Sequence, residues 1–113
     1  MRKRWFFALM LLLLLPCCGE KQKVKPPQVL LTEQQMVDVL SDTYLIEAEL
    51  NQMKSEGKEV GALQNSYYEQ LFSHYGITDS IFQENMNYYS YHLAALERIM
   101  DSVMNRFLKA QGK

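Results

Sequence analysis

Three carboxylates recur along one side of a segment with helical periodicity, and their spacing is the best basis in the chain for acid–base chemistry. Asp38 and Asp42 are four residues apart and Glu49 lies seven residues beyond Asp42, so a helix would present them on much the same side. Two such carboxylates could act as general acid and general base if burial separated their pKa values. A solvated acidic stripe, or a hydrogen bond from a core tyrosine to Asp42, explains the same pattern without catalysis.

Other catalytic signals are missing from the sequence. It contains no Gly-rich phosphate loop and no G-x-S-x-G elbow. The two histidines, His74 and His92, are far apart in sequence, so a shared metal would require the fold to bring them together. We therefore expect no enzyme activity, no metal and no cofactor.

Tyrosines are dense in the second half of the chain. Six of the seven lie between Tyr67 and Tyr91, and their spacing is too uneven for all of them to face one core. Exposed tyrosines supply a large apolar area at low cost in side-chain entropy, which is why protein interfaces are rich in them. We predict a partner-binding surface that includes Tyr67, Tyr88 and Tyr91. Additional core aromatics in a small domain are the alternative.

The N-terminal residues have the parts of a secretory signal peptide. Arg2, Lys3 and Arg4 precede an apolar run from Trp5 to Leu15, and Pro16 ends that run. A run of about 11 residues is shorter than the roughly 20 that a transmembrane helix needs. The pattern predicts a cleaved signal and not a membrane span.

The two cysteines of the chain, Cys17 and Cys18, follow directly. Leu15-Pro16-Cys17-Cys18 resembles the bacterial lipobox, whose invariant cysteine is acylated. Cleavage after Pro16 is disfavoured because proline lacks the amide hydrogen and the flexibility that a peptidase subsite demands. We therefore predict a signal peptide over residues 1–17 and lipidation of Cys18. A disulfide is not expected, since adjacent cysteines form strained bridges and the chain has no other cysteine to pair with them.

Removal of the signal peptide would make the protein acidic. The whole chain has 12 basic and 13 acidic residues, and loss of three basic ones leaves nine against 13, a net charge of −4. Nucleic-acid binding is not expected, because no basic stripe is available to neutralise phosphates. Residues 18–29 are polar and contain Pro26-Pro27, so we predict a lipidated N-terminus and a flexible tether. The lysines of this tether could lie against anionic headgroups or could be merely solvated.

Apolar periodicity predicts an all-α domain over residues 30–110, a small bundle of three or four helices. Thr32 and Gln35 form a capping-box pattern, and the first helix should extend from Glu33 to Lys54. A short second helix is predicted to begin with Asn65 or Ser66 as its cap and to stop at Gly76.

The last apolar repeat fits either one helix or two. Thr78 can cap its start. A continuous helix over residues 79–109 would carry one apolar stripe, formed by Phe82, Met86, Tyr89, Leu93, Leu96, Met100, Val103 and Phe107. A break near YYSYH, with Ser90 capping a separate last helix, fits the sequence equally well.

Three segments of the chain are similar to a known family. LLTEQQMVDVLSDTYLIEAEL, YYEQLFSHYGITDSIFQENMNYYS and LERIMDSVMNRFL resemble, in order and spacing, the Bacteroidota lipoproteins that carry domain of unknown function 4296. The resemblance covers residues 30–108 and includes the lipoprotein signal. Its most specific parts are MVDVLSD, the aromatic-Gly-Ile-Thr junction at 75–78, and the segment 82–89. The resemblance implies an envelope lipoprotein but supplies no activity.

These observations together predict a lipid-anchored cell-envelope protein that binds other proteins as an accessory subunit of a larger assembly. A module that binds a small ligand or lipid in a groove between helices is the alternative, and an enzyme with an unrecognised carboxylate site is the third possibility. Surface-exported lipoproteins of the Bacteroidota resemble one another in an acidic run after the anchor cysteine, whereas this chain has the basic segment CGEKQKVKPP. We therefore expect an outer-membrane lipoprotein that faces the periplasm.

Overall fold

The computed structural model describes residues 25–112, and within them every regular element is α-helical. The helices are α1 (Glu33–Ser55), α2 (Gly61–Tyr75), α3 (Asp79–Ser90) and α4 (Leu93–Ala110). The predicted small all-α bundle is confirmed, with four helices. The predictions for the signal peptide, for Cys18 and for the tether up to residue 24 lie outside the described residues.

Helix α1 begins where the capping box predicted. The Thr32 hydroxyl accepts a hydrogen bond from the Gln35 amide at 3.1 Å, and the Gln35 side chain accepts one from the Thr32 amide at 2.8 Å. Two backbone donors that the first turn would leave unsatisfied are thereby satisfied. The helix buries Met36 and Leu50 completely, so its apolar face extends along most of its length.

Helix α2 begins earlier than predicted but ends at the expected glycine. Its first residue is Gly61, and the preceding Val60 makes no side-chain capping bond and is buried. The prediction that Asn65 or Ser66 caps this helix was therefore wrong, because both residues lie within it. Gly76 ends the helix with φ of 66°, a left-handed conformation that glycine adopts without steric cost.

The last repeat is interrupted after α3, so it forms two helices. The Thr78 hydroxyl accepts a hydrogen bond from the Ile81 amide, as predicted. The Ser90 hydroxyl instead donates to the Asn87 carbonyl, and His92 precedes α4 without a side-chain cap. The prediction that Ser90 caps the last helix was therefore wrong.

The interruption also changes which residues of α4 face the core. Leu93, which belonged to the predicted continuous stripe, is 72% exposed, whereas Ile99, which lay outside it, is fully buried. The turn between α3 and α4 leaves Leu93 outside the core, whereas the other seven residues of the predicted stripe are buried in the core or packed against it, and Ile99 joins them. Leu96, Met100 and Phe107 are half-buried against the core.

Helix α1 lies at the centre of the domain, and both α2 and α4 pack against it. Tyr67 of α2 contacts Glu49 while Tyr75 contacts Asp42, so α2 runs antiparallel to α1. Arg98 of α4 pairs with Glu33, and the ring of Phe107 lies 6.1 Å from that of Tyr44, so α4 runs parallel to α1. Helix α3 packs against α4.

One end of the domain gathers the N-terminal segment and three helix termini. Tyr89, near the end of α3, donates a hydrogen bond to the Leu31 carbonyl at 2.6 Å. The pair between Glu33, the first residue of α1, and Arg98 brings the start of α4 to the same place. We call this end, formed by residues 25–33, the end of α3 and the start of α4, the base.

Candidate functional site

Asp38 and Asp42 are both engaged in contacts with neighbouring helices. The Tyr75 hydroxyl of α2 donates to the Asp42 carboxylate and lies 3.3 Å from the Asp38 carbonyl. The Asp38 carboxylate accepts hydrogen bonds from Arg106 of α4 and from Gln34, the latter at 3.2 Å. The tyrosine hydrogen bond to Asp42 is the arrangement that explained this residue without catalysis.

Glu49, the third predicted carboxylate, also binds a tyrosine of α2. The Tyr67 hydroxyl donates to Glu49 at 3.3 Å, and the adjacent Tyr68 hydroxyl donates to Glu47. Three tyrosines of α2 thus reach three carboxylates of α1. Helical spacing placed Glu49 correctly on α1 but gave no indication of Glu47, which lies on another side of the helix.

The tyrosines of these pairs remain protonated over a wide pH range. Burial and the hydrogen bond to Glu47 raise the pKa of Tyr68 to about 12. Burial and the hydrogen bond to Asp42 raise the pKa of Tyr75 to about 12, and the nearby Asp38 carboxylate acts in the same direction. A neutral hydroxyl that donates to a carboxylate is a stable structural contact, so this face ties α2 to α1.

The predicted tyrosine surface is divided between two regions. Tyr88 and Tyr91 lie at the base, where the Tyr88 ring stacks on His92 with centroids 4.1 Å apart and Tyr91 is 50% exposed. Tyr67 contacts Glu49, and α1 carries that residue about 24 Å beyond Glu33 at a rise of about 1.5 Å per residue. The structure therefore brings Tyr88 and Tyr91 together but not Tyr67.

A buried asparagine that the sequence analysis missed fastens the N-terminal segment to α3. Asn85 is fully buried; its amide nitrogen donates to the Val29 carbonyl at 2.8 Å, and its amide oxygen accepts from the Leu31 amide at 2.8 Å. Val29 had been assigned to the tether. The available signal was position, because Asn85 follows Phe82 and precedes Tyr89 at helical spacing and so places a polar residue in a predicted core face.

An open groove lies between α1, α2 and α3. Its volume is about 740 Å³, within the roughly 300–1,000 Å³ typical of small-molecule sites. Tyr68, Phe72 and Phe82 supply aromatic lining, with centroid separations of 5.9 and 5.6 Å between successive rings. The carboxylates in its lining are Glu69 and Asp79, so Asp38, Asp42 and Glu49 do not face it.

Large apolar side chains are exposed in two further regions. At the base, Val29, Leu30, Tyr91 and Leu93 are 45%, 47%, 50% and 72% exposed, and we call these four residues the basal patch. Farther along α1 and α4, Tyr44 touches the half-buried Phe107, and Met104 and Leu108 lie beside Phe107 on α4. We call this second group the distal patch.

The described residues offer no ready metal site. The His74 ring lies edge-on to Tyr75 on α2, whereas His92 lies at the base against Tyr88, so the fold does not bring the two histidines together. Among the side chains described, no three His, Cys, Asp or Glu residues are grouped to bind a metal ion. Within residues 25–112, every helix is too short or too polar to cross a bilayer.

These features define a small all-helical domain whose N-terminal segment is fastened to its third helix. The chain belongs to the family described as Domain of unknown function (DUF4296), whose family model matches residues 27–113. The predicted match to this domain is thereby confirmed, whereas the lipoprotein signal and the Bacteroidota origin stay predictions. Comparison with curated proteins and with solved structures finds no significant match.

Proposed function

We propose that this protein is a lipid-anchored cell-envelope protein that binds another protein as an accessory subunit of an envelope assembly. The observation that carries the proposal is the distal patch. Its members Met104 and Leu108 are 58% and 42% exposed, and helical spacing places both on one side of Phe107, whose ring contacts Tyr44 of α1. Clustered exposed apolar groups of this kind favour protein interfaces.

The location of the distal patch suits an anchored subunit. Met104 lies 11 residues beyond Leu93 along α4, which corresponds to about 17 Å at a rise of about 1.5 Å per residue. The N-terminal segment enters at the base, so the distal patch points away from the predicted lipid anchor. A partner could therefore bind there while the acyl chains on Cys18 hold the domain at the outer membrane of a Bacteroidota-type envelope, facing the periplasm.

Affinity purification from detergent-solubilised envelope tests the partner. The wild-type chain should retain a stoichiometric protein, and Met104→Lys should lose it because a charge would be desolvated in the interface. Ser102→Lys, which adds the same charge at an exposed position on another face of the same helix, is the matched control. Equal recovery with Met104→Lys would show that the distal patch is not the binding surface.

Membrane fractionation tests the anchor. Cys18→Ala should leave the domain folded but release it from washed membranes, because acyl chains supply the retention. If Cys18→Ala remains in the membrane fraction, a protein contact and not lipid holds the chain. Protease added to intact cells tests the orientation, and digestion with an unbroken outer membrane would place the domain on the cell surface.

A small-ligand module is the second candidate, and the groove of about 740 Å³ favours it. Aromatic lining from Phe72 and Phe82 with a polar rim suits an amphiphilic molecule. Mass spectrometry of lipids extracted from the purified protein should identify such a ligand. Ser73→Trp, an exposed position in the groove lining, should displace it without disturbing the core.

A further inference from the structure

The basal patch surrounds the point at which the N-terminal segment leaves the domain. Val29 and Leu30 belong to the segment itself, and their neighbour Leu31 is buried and bonded to Asn85 and Tyr89. Tyr91 lies two residues after Tyr89, at the turn into α4. Two of the four exposed side chains of the basal patch, Val29 and Leu30, are therefore carried by a segment that these contacts fix to α3.

The length of the chain before Lys25 limits how far the base can lie from an anchor at Cys18. Seven residue steps separate Cys18 from Lys25, and a fully extended chain spans at most about 3.6 Å per step, or about 25 Å. Pro26 and Pro27 then lead into the fastened segment. Among the described surfaces, the base is the one from which the chain leads directly towards the acyl chains.

We propose that the basal patch rests in the headgroup region of the bilayer that carries the anchor, so that the domain stands on the membrane in a fixed orientation. This inference rests on the proposed lipid anchoring of Cys18. Tyrosine and leucine suit this position, because an aromatic ring with a polar tip and a short apolar side chain partition into the boundary between headgroups and acyl chains.

The charges at the base permit shallow insertion and oppose a deeper one. Arg98 bonds to Glu33 at 2.9 Å and lowers the pKa of that carboxyl, so the pair enters the interface without net charge. Lys25 and Glu84 line the same small hollow beside the segment. Glu97 is exposed one turn beyond Leu93, and Asp101 follows one turn later. Their positions disfavour an orientation in which α4 lies flat on the membrane.

Depth-dependent fluorescence quenching tests the orientation in the full-length lipidated protein. Leu93→Cys and Leu108→Cys are each labelled with an environment-sensitive fluorophore; Cys18 does not compete for the label, because its thiol carries lipid. The proteins are reconstituted into phosphatidylethanolamine–phosphatidylglycerol vesicles that contain a lipid with a shallow nitroxide quencher. The label at position 93 should show blue-shifted emission and several-fold stronger quenching than the label at position 108.

The possible results distinguish a wrong orientation from a wrong anchor. Flotation of the protein with vesicles while the label at 93 remains unquenched would overturn the orientation and leave the anchor standing. Equal quenching at 93 and 108 would show that α4 lies along the membrane, which also overturns the inference. Failure to float would overturn the proposed anchor and the orientation together.

A double variant in the patch distinguishes specific seating from mere proximity. Tyr91→Ser with Leu93→Ser changes two exposed residues, so the fold should be preserved. A label at Leu30→Cys should then lose its blue shift although the protein still floats. The matched control is Met104→Ser with Leu108→Ser, which should leave the label at Leu30→Cys unchanged.

Discussion

Replacement of Asn85 by leucine should lower the free energy of unfolding of the domain, because this one side chain makes three hydrogen bonds. The side chain is fully buried and bonds to the Leu31 amide, the Val29 carbonyl and the Ile81 carbonyl, each at 2.8 Å. Leucine has a similar shape, so the Asn85→Leu variant removes these bonds without leaving a large cavity. The variant therefore isolates the hydrogen-bonding contribution of Asn85.

The magnitude follows from what happens to each partner. The Leu31 amide loses its only acceptor among these contacts. Because Leu31 is buried, the amide becomes an unsatisfied buried donor, which costs about 1–3 kcal/mol. The Val29 carbonyl belongs to a half-exposed residue and can bond to water instead. Loss of its hydrogen bond from Asn85 therefore contributes about 1 kcal/mol. The Ile81 carbonyl keeps its partner within α3. The free energy of unfolding should fall by about 2–4 kcal/mol.

Urea denaturation with hydrogen exchange provides the assay. For a domain of this size the urea dependence is about 1 kcal/mol per molar, so the midpoint should fall by about 2–4 M. Exchange of the Leu31 amide should accelerate relative to amides in the middle of α1. Asn87→Leu makes the same chemical change at an exposed position of α3 and should alter stability by less than about 0.5 kcal/mol. An unchanged midpoint and unchanged exchange at Leu31 would refute the argument.

Three further perturbations have defined outcomes. Ile99→Ala should lower the free energy of unfolding by about 2–5 kcal/mol because the residue is fully buried, while Glu97→Lys should be neutral; similar thermal midpoints for the two would contradict the observed phase of α4. Gly76→Ala should cost about 1 kcal/mol in urea denaturation, because φ is 66° and an added Cβ meets no atom within 4 Å; a loss near zero would argue against the left-handed conformation. The free energy of unfolding should fall between pH 10 and 12. The pKa values of Tyr68 and Tyr75 are about 10 in the unfolded chain and about 12 in the folded domain. Their contribution to stability is therefore complete below pH 10 and lost as the pH rises through 12. Solvent screening limits this to about 1 kcal/mol for each tyrosine, and a Tyr75→Phe variant with an unchanged alkaline slope would exclude that residue as a cause.

Local signals predicted the helix ends that depend on neighbouring residues. The Thr32–Gln35 capping box, the Thr78 cap and the Gly76 stop each satisfy backbone groups within a few residues, so the sequence alone contains the necessary information. The start of α2 depends on burial of Val60, which the rest of the fold determines. The predicted cap at Asn65 or Ser66 therefore placed this start too late.

The break after α3 lies beside a contact between residues far apart in the sequence. The Tyr89 hydroxyl bonds to the Leu31 carbonyl, across more than 50 residues of sequence. No periodicity within residues 79–109 reports such a contact. One continuous helix and two separate helices therefore fit the sequence equally well. The stripe of the continuous helix included Leu93, which is exposed, and omitted Ile99, which is buried.

The candidate sites divide in the same way. Helical spacing placed Asp38, Asp42 and Glu49 on α1, but it could not indicate which residues of α2 and α4 would face them. Pairing of Asp42 with Tyr75 requires the antiparallel register of α2, and pairing of Asp38 with Arg106 requires the parallel register of α4. Inter-helix register arises from side-chain packing over the whole domain, which one sequence does not specify by inspection.

The fastening of the N-terminal segment has a mechanical consequence. A pull on the chain ahead of Val29 is transmitted first to Asn85 and Tyr89, and so to α3, before it reaches the Thr32 cap of α1. The hydrogen bonds that Val29 and Leu31 make to α3 share this load, so the first turn of α1 is not the first to unfold. If the chain ahead of Val29 is held at a membrane while a bound protein holds the domain, the tension between them would pass through α3. Helix α1 would then keep its contacts with α2 and α4.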